Sequence, residues 1–171
     1  MIYLDGKYIR PDKQMLDDLT PGRRRLRGAF ETMRARRGRI VFCDEHLKRL
    51  SDGLKCLGLE NPLSRCRWKT VLRPLLKQDP LAHSRVRILV WREGRCLRYA
   101  AMALKYEPPS MSQYRRGIRV VTAATGRRAS SRQARVKSLD YALFADAYKR
   151  AAALGFDEAL LLNAQGYVFE A

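Results

Sequence analysis

The chain has 171 residues, 35 Lys+Arg against 17 Asp+Glu for a formal net charge of +18, and a 46% hydrophobic, 30% charged composition, a balance that can bury a core and argues against intrinsic disorder. That length suits one ordinary domain or two small ones; no apolar run approaches the ~20 residues of a membrane helix, and MIYLDGKYIR lacks the layout of a signal peptide, so a cytoplasmic location with no membrane partner is expected. Cys43, Cys56, Cys66 and Cys96 form no CxxC, and His46 and His83 are the only histidines, which excludes a zinc ribbon, a redox pair and a histidine-rich metal site.

Met1–Arg10 alternates around Asp5-Gly6 and predicts a hairpin, because both turn positions tolerate positive φ. Ala29–Arg34 and Arg39–Phe42 read as strands joined through Gly38. From Asp44 the period changes: Leu47, Leu50, Leu54 and Leu57 recur at helical steps, with Asp44 placed as the cap and Gly58 as the stop. Ser64–Lys77 predicts a second helix that buries Trp68, Val71, Leu72, Leu75 and Leu76, followed by strands at Arg85–Trp91, Cys96–Leu104 and Ile118–Ala124. Pro108-Pro109 marks Lys105–Gly117 as an interdomain linker. Thr125–Arg135 reads as a loop, Leu139–Leu154 as a helix stopped by Gly155, and Glu158–Leu162 as a strand that turns at Asn163–Gly166 into a return strand at Tyr167–Glu170. The order is that of an α+β arrangement: residues 1–104 as an N-terminal α/β domain, 105–117 as linker, and 118–171 as the start of a second domain that stops inside a hairpin and leaves an exposed edge.

Of the basic residues 26 are Arg, clustered at Arg23–Arg27, Arg34–Arg39 and Arg127–Arg135. Such a field attracts polyanions, which keeps a nucleic-acid binder open as a reading. It is not favoured, because the chain has no zinc finger, heptad seam or aromatic-rich RNA-binding strand.

Two segments carry a resemblance. Gly28-Ala29-Phe30-Glu31-Thr32-Met33-Arg34 precedes Asp44-Glu45-His46-Leu47-Lys48-Arg49-Leu50; Val136-Lys137-Ser138-Leu139-Asp140-Tyr141 precedes Gly155–Asn163 (GFDEALLLN) and Gly166–Ala171 (GYVFEA). Together they resemble the class IV, or fold-type IV, aminotransferases: GxFET, HLxRL, KxLNY, GxDEALLL and GxVxE, in the family's order. That family uses pyridoxal 5'-phosphate and includes branched-chain and D-amino-acid aminotransferases and aminodeoxychorismate lyase. The resemblance implies a two-domain fold whose C-terminal domain is incomplete here, since family chains continue well past the final Glu. It implies amino transfer between an amino acid and a 2-keto acid, with aminodeoxychorismate cleavage toward 4-aminobenzoate as the alternative, and a homodimer for an intact chain; an inactive remnant is a further reading.

By the same resemblance, Lys137 matches the catalytic lysine that attaches to the cofactor aldehyde and moves the substrate Cα proton; Arg132 and Arg135 are candidates to lower its pKa. Without the motif, any of nine lysines is equally eligible. Glu170 matches the carboxylate that keeps the cofactor's pyridine nitrogen protonated, and its plain reading is an exposed terminal-strand Glu. Arg49 matches the phosphate-binding arginine, whose fork makes two parallel bonds; it reads equally as a polar-face helix residue. Tyr141 stands where some members place a tyrosine that bonds the cofactor O3', and otherwise is a core aromatic. Arg23–Arg27 replaces an aromatic residue and glycine pair, and Asp140 stands where Asn is common.

Overall fold

The computed structural model describes residues 1–22, 26–77, 83–124 and 136–170, arranged on two β-sheets. β1 (Ile2–Leu4) and β2 (Lys7–Ile9) form the expected hairpin, with Asp5 at φ +45° and Gly6 at φ +93°. Asp12 caps the short α1 (Lys13–Asp18) by accepting the Met15 N–H at 2.7 Å.

β3 (Arg27–Arg36) and β4 (Arg39–Ile40) form a second hairpin. β3 is longer than its sequence pattern predicts and β4 shorter, because Phe42 turns left-handed at φ +51° and takes the N-cap position of α2 (Cys43–Cys56) without a side-chain cap. Asp44 is therefore not the cap. It lies inside the first turn with Glu45, where the positive helix end favours a carboxylate, and its side chain bonds Lys69 at 2.7 Å. α3 (Arg65–Lys77) buries Trp68, Val71, Leu72, Leu75 and Leu76, the expected stripe.

β5 (His83–Glu93) and β6 (Cys96–Lys105) complete an antiparallel six-stranded sheet of order β2-β1-β6-β5-β3-β4. Strand alternation sends Ala29, Met33, Ala35, Val86, Ile88, Val90 and Ala101 to one face, under the leucines of α2 and α3. Phe30, Leu89, Trp91, Ala100 and Met102 take the other face, packed with Ile2, Leu19 and Leu139.

The expected linker holds one short helix, α4 (Met111–Arg116), started by a capping box in which Ser110 and Gln113 bond each other's backbone N–H groups. β7 (Val120–Ala124) pairs parallel with β8 (Glu158–Leu162), α5 (Ala142–Ala153) lies between them in sequence, and β9 (Val168–Glu170) returns antiparallel to β8. Ala147 and Ala151 let α5 sit close over Ala159 and Leu161. α5 begins three residues later than its apolar spacing predicts, because the chain through Leu139 is still paired with β3 in extended form, with Ser138 bridged to Ala29. The expected loop Thr125–Arg135 lies outside the described residues. No helix among the described residues is long and apolar enough to cross a membrane.

Candidate active site

Gly28 allows the two sheets to meet. A Cβ there would lie 2.3 Å from Val90 O and 2.8 Å from Leu139 Cδ1, so only glycine admits the segment after residue 135 onto the edge of β3. That segment bonds β3 as a short strand: Phe30 N–H donates to Lys137 O and Leu139 N–H to Gly28 O, both at 2.9 Å, with Ala29 bridged to Ser138. Val136 turns toward Gly53 of α2, with Cγ1 3.3 Å from where a Cβ would stand. Lys137 turns the other way, and its Nζ sits 4.7 Å from the centre of the Phe30 ring, within cation–π range.

Phe30 links the lysine to the second sheet. Its ring meets Tyr141 edge-on at 5.5 Å, Tyr141 stacks on Phe144 at 4.4 Å, and Phe144 meets Phe169 at 6.2 Å. Tyr141 and Glu170 line one open cleft of about 190 Å³, with Phe144, Glu158 and Leu161. Burial raises the Tyr141 phenol above its ordinary pKa, and the Glu170 and Glu158 carboxylates add to that rise. Glu170 is half-buried rather than an exposed strand end. Lys137, Tyr141 and Glu170 thus share one aromatic path, with the lysine reached through Phe30.

Arg49 lies across β3 from that path. Its Nε and Nη2 donate to Glu31 Oε1 and Oε2 at 2.6 and 2.8 Å, and His46 Nδ1 is 2.8 Å from Glu31 Oε2. Helical i,i+3 spacing brings His46 and Arg49 onto one face of α2. Gly53, packed on Val136, is one helical turn beyond Arg49, so Arg49 and Lys137 flank the same junction from opposite sides. Arg132 and Arg135, the candidates for tuning Lys137, lie outside the described residues.

One candidate was not distinguishable by sequence. Arg87 pairs with Thr32 and Met102 in the sheet, two rungs from the Phe30–Leu89 pair and so on the same face. Its Nε is buried without a hydrogen-bond partner, and burial, with Arg85 nearby, pushes the guanidinium down to about 10, still charged at neutral pH. An orphaned, desolvated cation is a place for an anionic ligand. Among 26 arginines, no spacing marks this one. The Glu31 and His46 contacts were also hidden, although both residues lie within the quoted motifs.

The family model for class IV amino-transferases matches residues 28–171. A Methanocaldococcus jannaschii protein provisionally named a branched-chain-amino-acid aminotransferase is 28% identical over 179 residues, covering 99% of this chain and 62% of its own length. A Mycobacterium tuberculosis protein named bifunctional aminodeoxychorismate lyase / D-amino acid transaminase is 26% identical over 184 residues, covering 99% of this chain and 63% of its own. A branched-chain amino acid aminotransferase from T.th., solved with pyridoxamine 5'-phosphate, superposes with a TM-score of 0.82 at 22% identity over 98% of this chain and 60% of its own, a likeness of fold. The chain therefore spans less than two thirds of the length of these proteins.

Proposed function

The chain belongs to the class IV aminotransferases, and from that premise we propose that it acts with pyridoxal 5'-phosphate to move an amino group between an amino acid and a 2-keto acid. The observation that carries this reading is the seating of Lys137 on the Phe30 ring beside Tyr141, on a segment held to β3 by two backbone hydrogen bonds. The donor set fits the cofactor: an amine against an aromatic face, a phenol and a carboxylate in one cleft, and a guanidinium whose Nη1 has no partner among the described residues. When bound, the cofactor supplies a protonated ring that stabilises negative charge developing at the substrate Cα.

Each side chain has a distinct task. Lys137 would hold the cofactor at its aldehyde carbon through Nζ and, once displaced there by the substrate amine, its free Nζ would take the substrate Cα proton and deliver it to that aldehyde carbon. Glu170 holds the proton on the ring nitrogen by accepting its hydrogen bond. Tyr141 donates from its hydroxyl to the ring oxygen, and its raised pKa keeps that proton on the phenol at neutral pH. Arg49 binds the phosphate through the guanidinium end that Glu31 leaves open. Arg87 takes a substrate carboxylate, a contact strengthened by the removal of water from its Nε. Phe30, 5% exposed, and Leu139, 2% exposed, form an apolar wall on the inner side of the half-buried lysine.

A second reading is aminodeoxychorismate lyase activity, supported by the lyase half of the M. tuberculosis relative's name and by chemistry that starts from the same Cα proton removal. A cytoplasmic homodimer is the working form implied by the family. The nucleic-acid reading keeps only the net charge in its favour. The deciding experiment is to add pyridoxal 5'-phosphate to the purified chain and record its spectrum. A near-visible band that Lys137→Ala abolishes is expected; a wild-type chain that develops none sinks the reading. Keto-acid formation from amino donors then separates transfer from lyase chemistry, which releases pyruvate from aminodeoxychorismate.

A further inference from the structure

We propose that Glu31, assisted by His46, is a positioning residue that aims Arg49 at the cofactor phosphate. This rests on the assignment of Arg49 as the phosphate ligand.

The exposure of the two partners is unequal. The Glu31 side chain is 0% exposed, within a face otherwise made of Ala29, Met33 and Ala35, whereas the Arg49 side chain is 55% exposed. A side chain this deeply buried is ordinarily apolar, since a carboxylate gives up its water there and needs full compensation. Arg49 needs no such help, because water reaches it. What the ion pair gives the arginine is a fixed direction: a long, flexible side chain is held by two of its nitrogens in one orientation.

The atoms used are consistent with that role. Nε and Nη2 face Glu31, and Nη2 also lies 3.3 Å from His46 Nδ1, so Nη1 is the nitrogen left open to donate to a phosphate oxygen. His46 closes the arrangement from the side. With its proton on Nδ1 it donates to Glu31 Oε2, which then holds two bonds and cannot swing away; the opposite tautomer would set two lone pairs 2.8 Å apart. The buried carboxylate lies behind the guanidinium and the exposed end of the arginine lies in front, so the cation shields an incoming anion from Glu31.

The test compares affinity for pyridoxal 5'-phosphate with affinity for pyridoxal, which lacks the phosphate, in the wild-type chain, Arg49→Lys, Glu31→Gln and the double variant, alongside thermal unfolding. The ratio of the two affinities reads the phosphate contact alone. Wild type is expected to prefer the phosphorylated compound strongly, and Arg49→Lys to remove most of that preference. Glu31→Gln is expected to lower it about tenfold, the equivalent of one charge-assisted hydrogen bond, with pyridoxal binding unchanged and no further loss in the double variant. If Arg49→Lys collapses the ratio and Glu31→Gln leaves it intact while lowering the melting temperature, Glu31 is structural and the proposal is overturned. If wild type does not distinguish the two compounds, Arg49 is not the phosphate ligand, and the proposal falls with that assignment. Should Glu31→Gln not fold, His46→Gln, which alters only the bond to Oε2, is expected to lower the ratio about threefold, on the order of one weak hydrogen bond; an unchanged ratio there also overturns it.

Discussion

Phe30 and Glu31 are neighbours in the chain, yet the two faces of β3 treat charge in opposite ways. On the Glu31 face both oxygens of a fully buried carboxylate are paired. On the Phe30 face two cations lack acidic partners among the described residues: Lys137 rests on an aromatic ring and Arg87 keeps a buried nitrogen unbonded. A satisfied buried charge is a frame, because moving it costs bonds; an unsatisfied one is a receptor, because a ligand supplies the bond the protein withholds. The alternation of a single strand is thus enough to place a rigid support and an open site back to back.

The most drastic way to break this contrast is Gly28→Ala, which disturbs both faces. The new methyl group would press on the Val90 carbonyl and Leu139, lifting the Lys137 segment from β3. A loss of about 3 kcal/mol or more in urea-measured stability is expected, along with cofactor binding. Next is Arg49→Met, which strands Glu31 with His46 alone and should cost about 3 kcal/mol; Glu31→Gln, which leaves a half-exposed arginine free to hydrate, should cost about 1 kcal/mol. Equal losses would mean that the carboxylate is not held as a buried charge.

Arg87→Met should act with the opposite sign. Folding depresses this guanidinium to about 10, so its penalty is present in full below that pH, neutral pH included, and fades only as pH rises above it. Removing the charge should raise stability by about 1 kcal/mol while weakening substrate binding, measured as a higher KM. Tyr141→Phe should have the smallest effect, confined to alkaline pH. Because the folded-state pKa is raised, the wild-type protein loses stability as pH climbs past the ordinary phenol value toward the folded one. The variant should show a shallower decline in a pH series of denaturation curves, with Tyr8 and Tyr99, also raised by burial, accounting for the remainder.

Legibility in the sequence followed how local the signal was. The Asp5-Gly6 turn, the leucine stripe of α2 and the buried side of α3 are each written within a few residues, and the structure matches them. α4 was equally local, marked by Ser110 and Gln113 three apart, but the prolines before it drew the reading toward a linker. Asp44 misled because a capping residue in composition is not one in geometry when Phe42 occupies the left-handed turn ahead of it. In the candidate site, Lys137, Arg49, Tyr141 and Glu170 were reachable through motif order alone. Arg87 was not, since its distinction is a missing partner, which exists only after β5 lies between β3 and β6.

The bonds that tie Lys137 to Phe30 and Leu139 to Gly28 also set an order of events in folding. They join residues more than a hundred positions apart, whereas hairpins β1–β2, β3–β4 and β5–β6 close over short loops. Closing so long a loop carries a large chain-entropy cost, comparable with that of pairing Ile2 with Met102, and contacts of this range form slowly. The lysine should therefore reach its ring late, after the local hairpins have closed. In a refolding experiment, cofactor capture should lag behind the burial of Trp68 and Trp91, making the appearance of colour a clock for the final step.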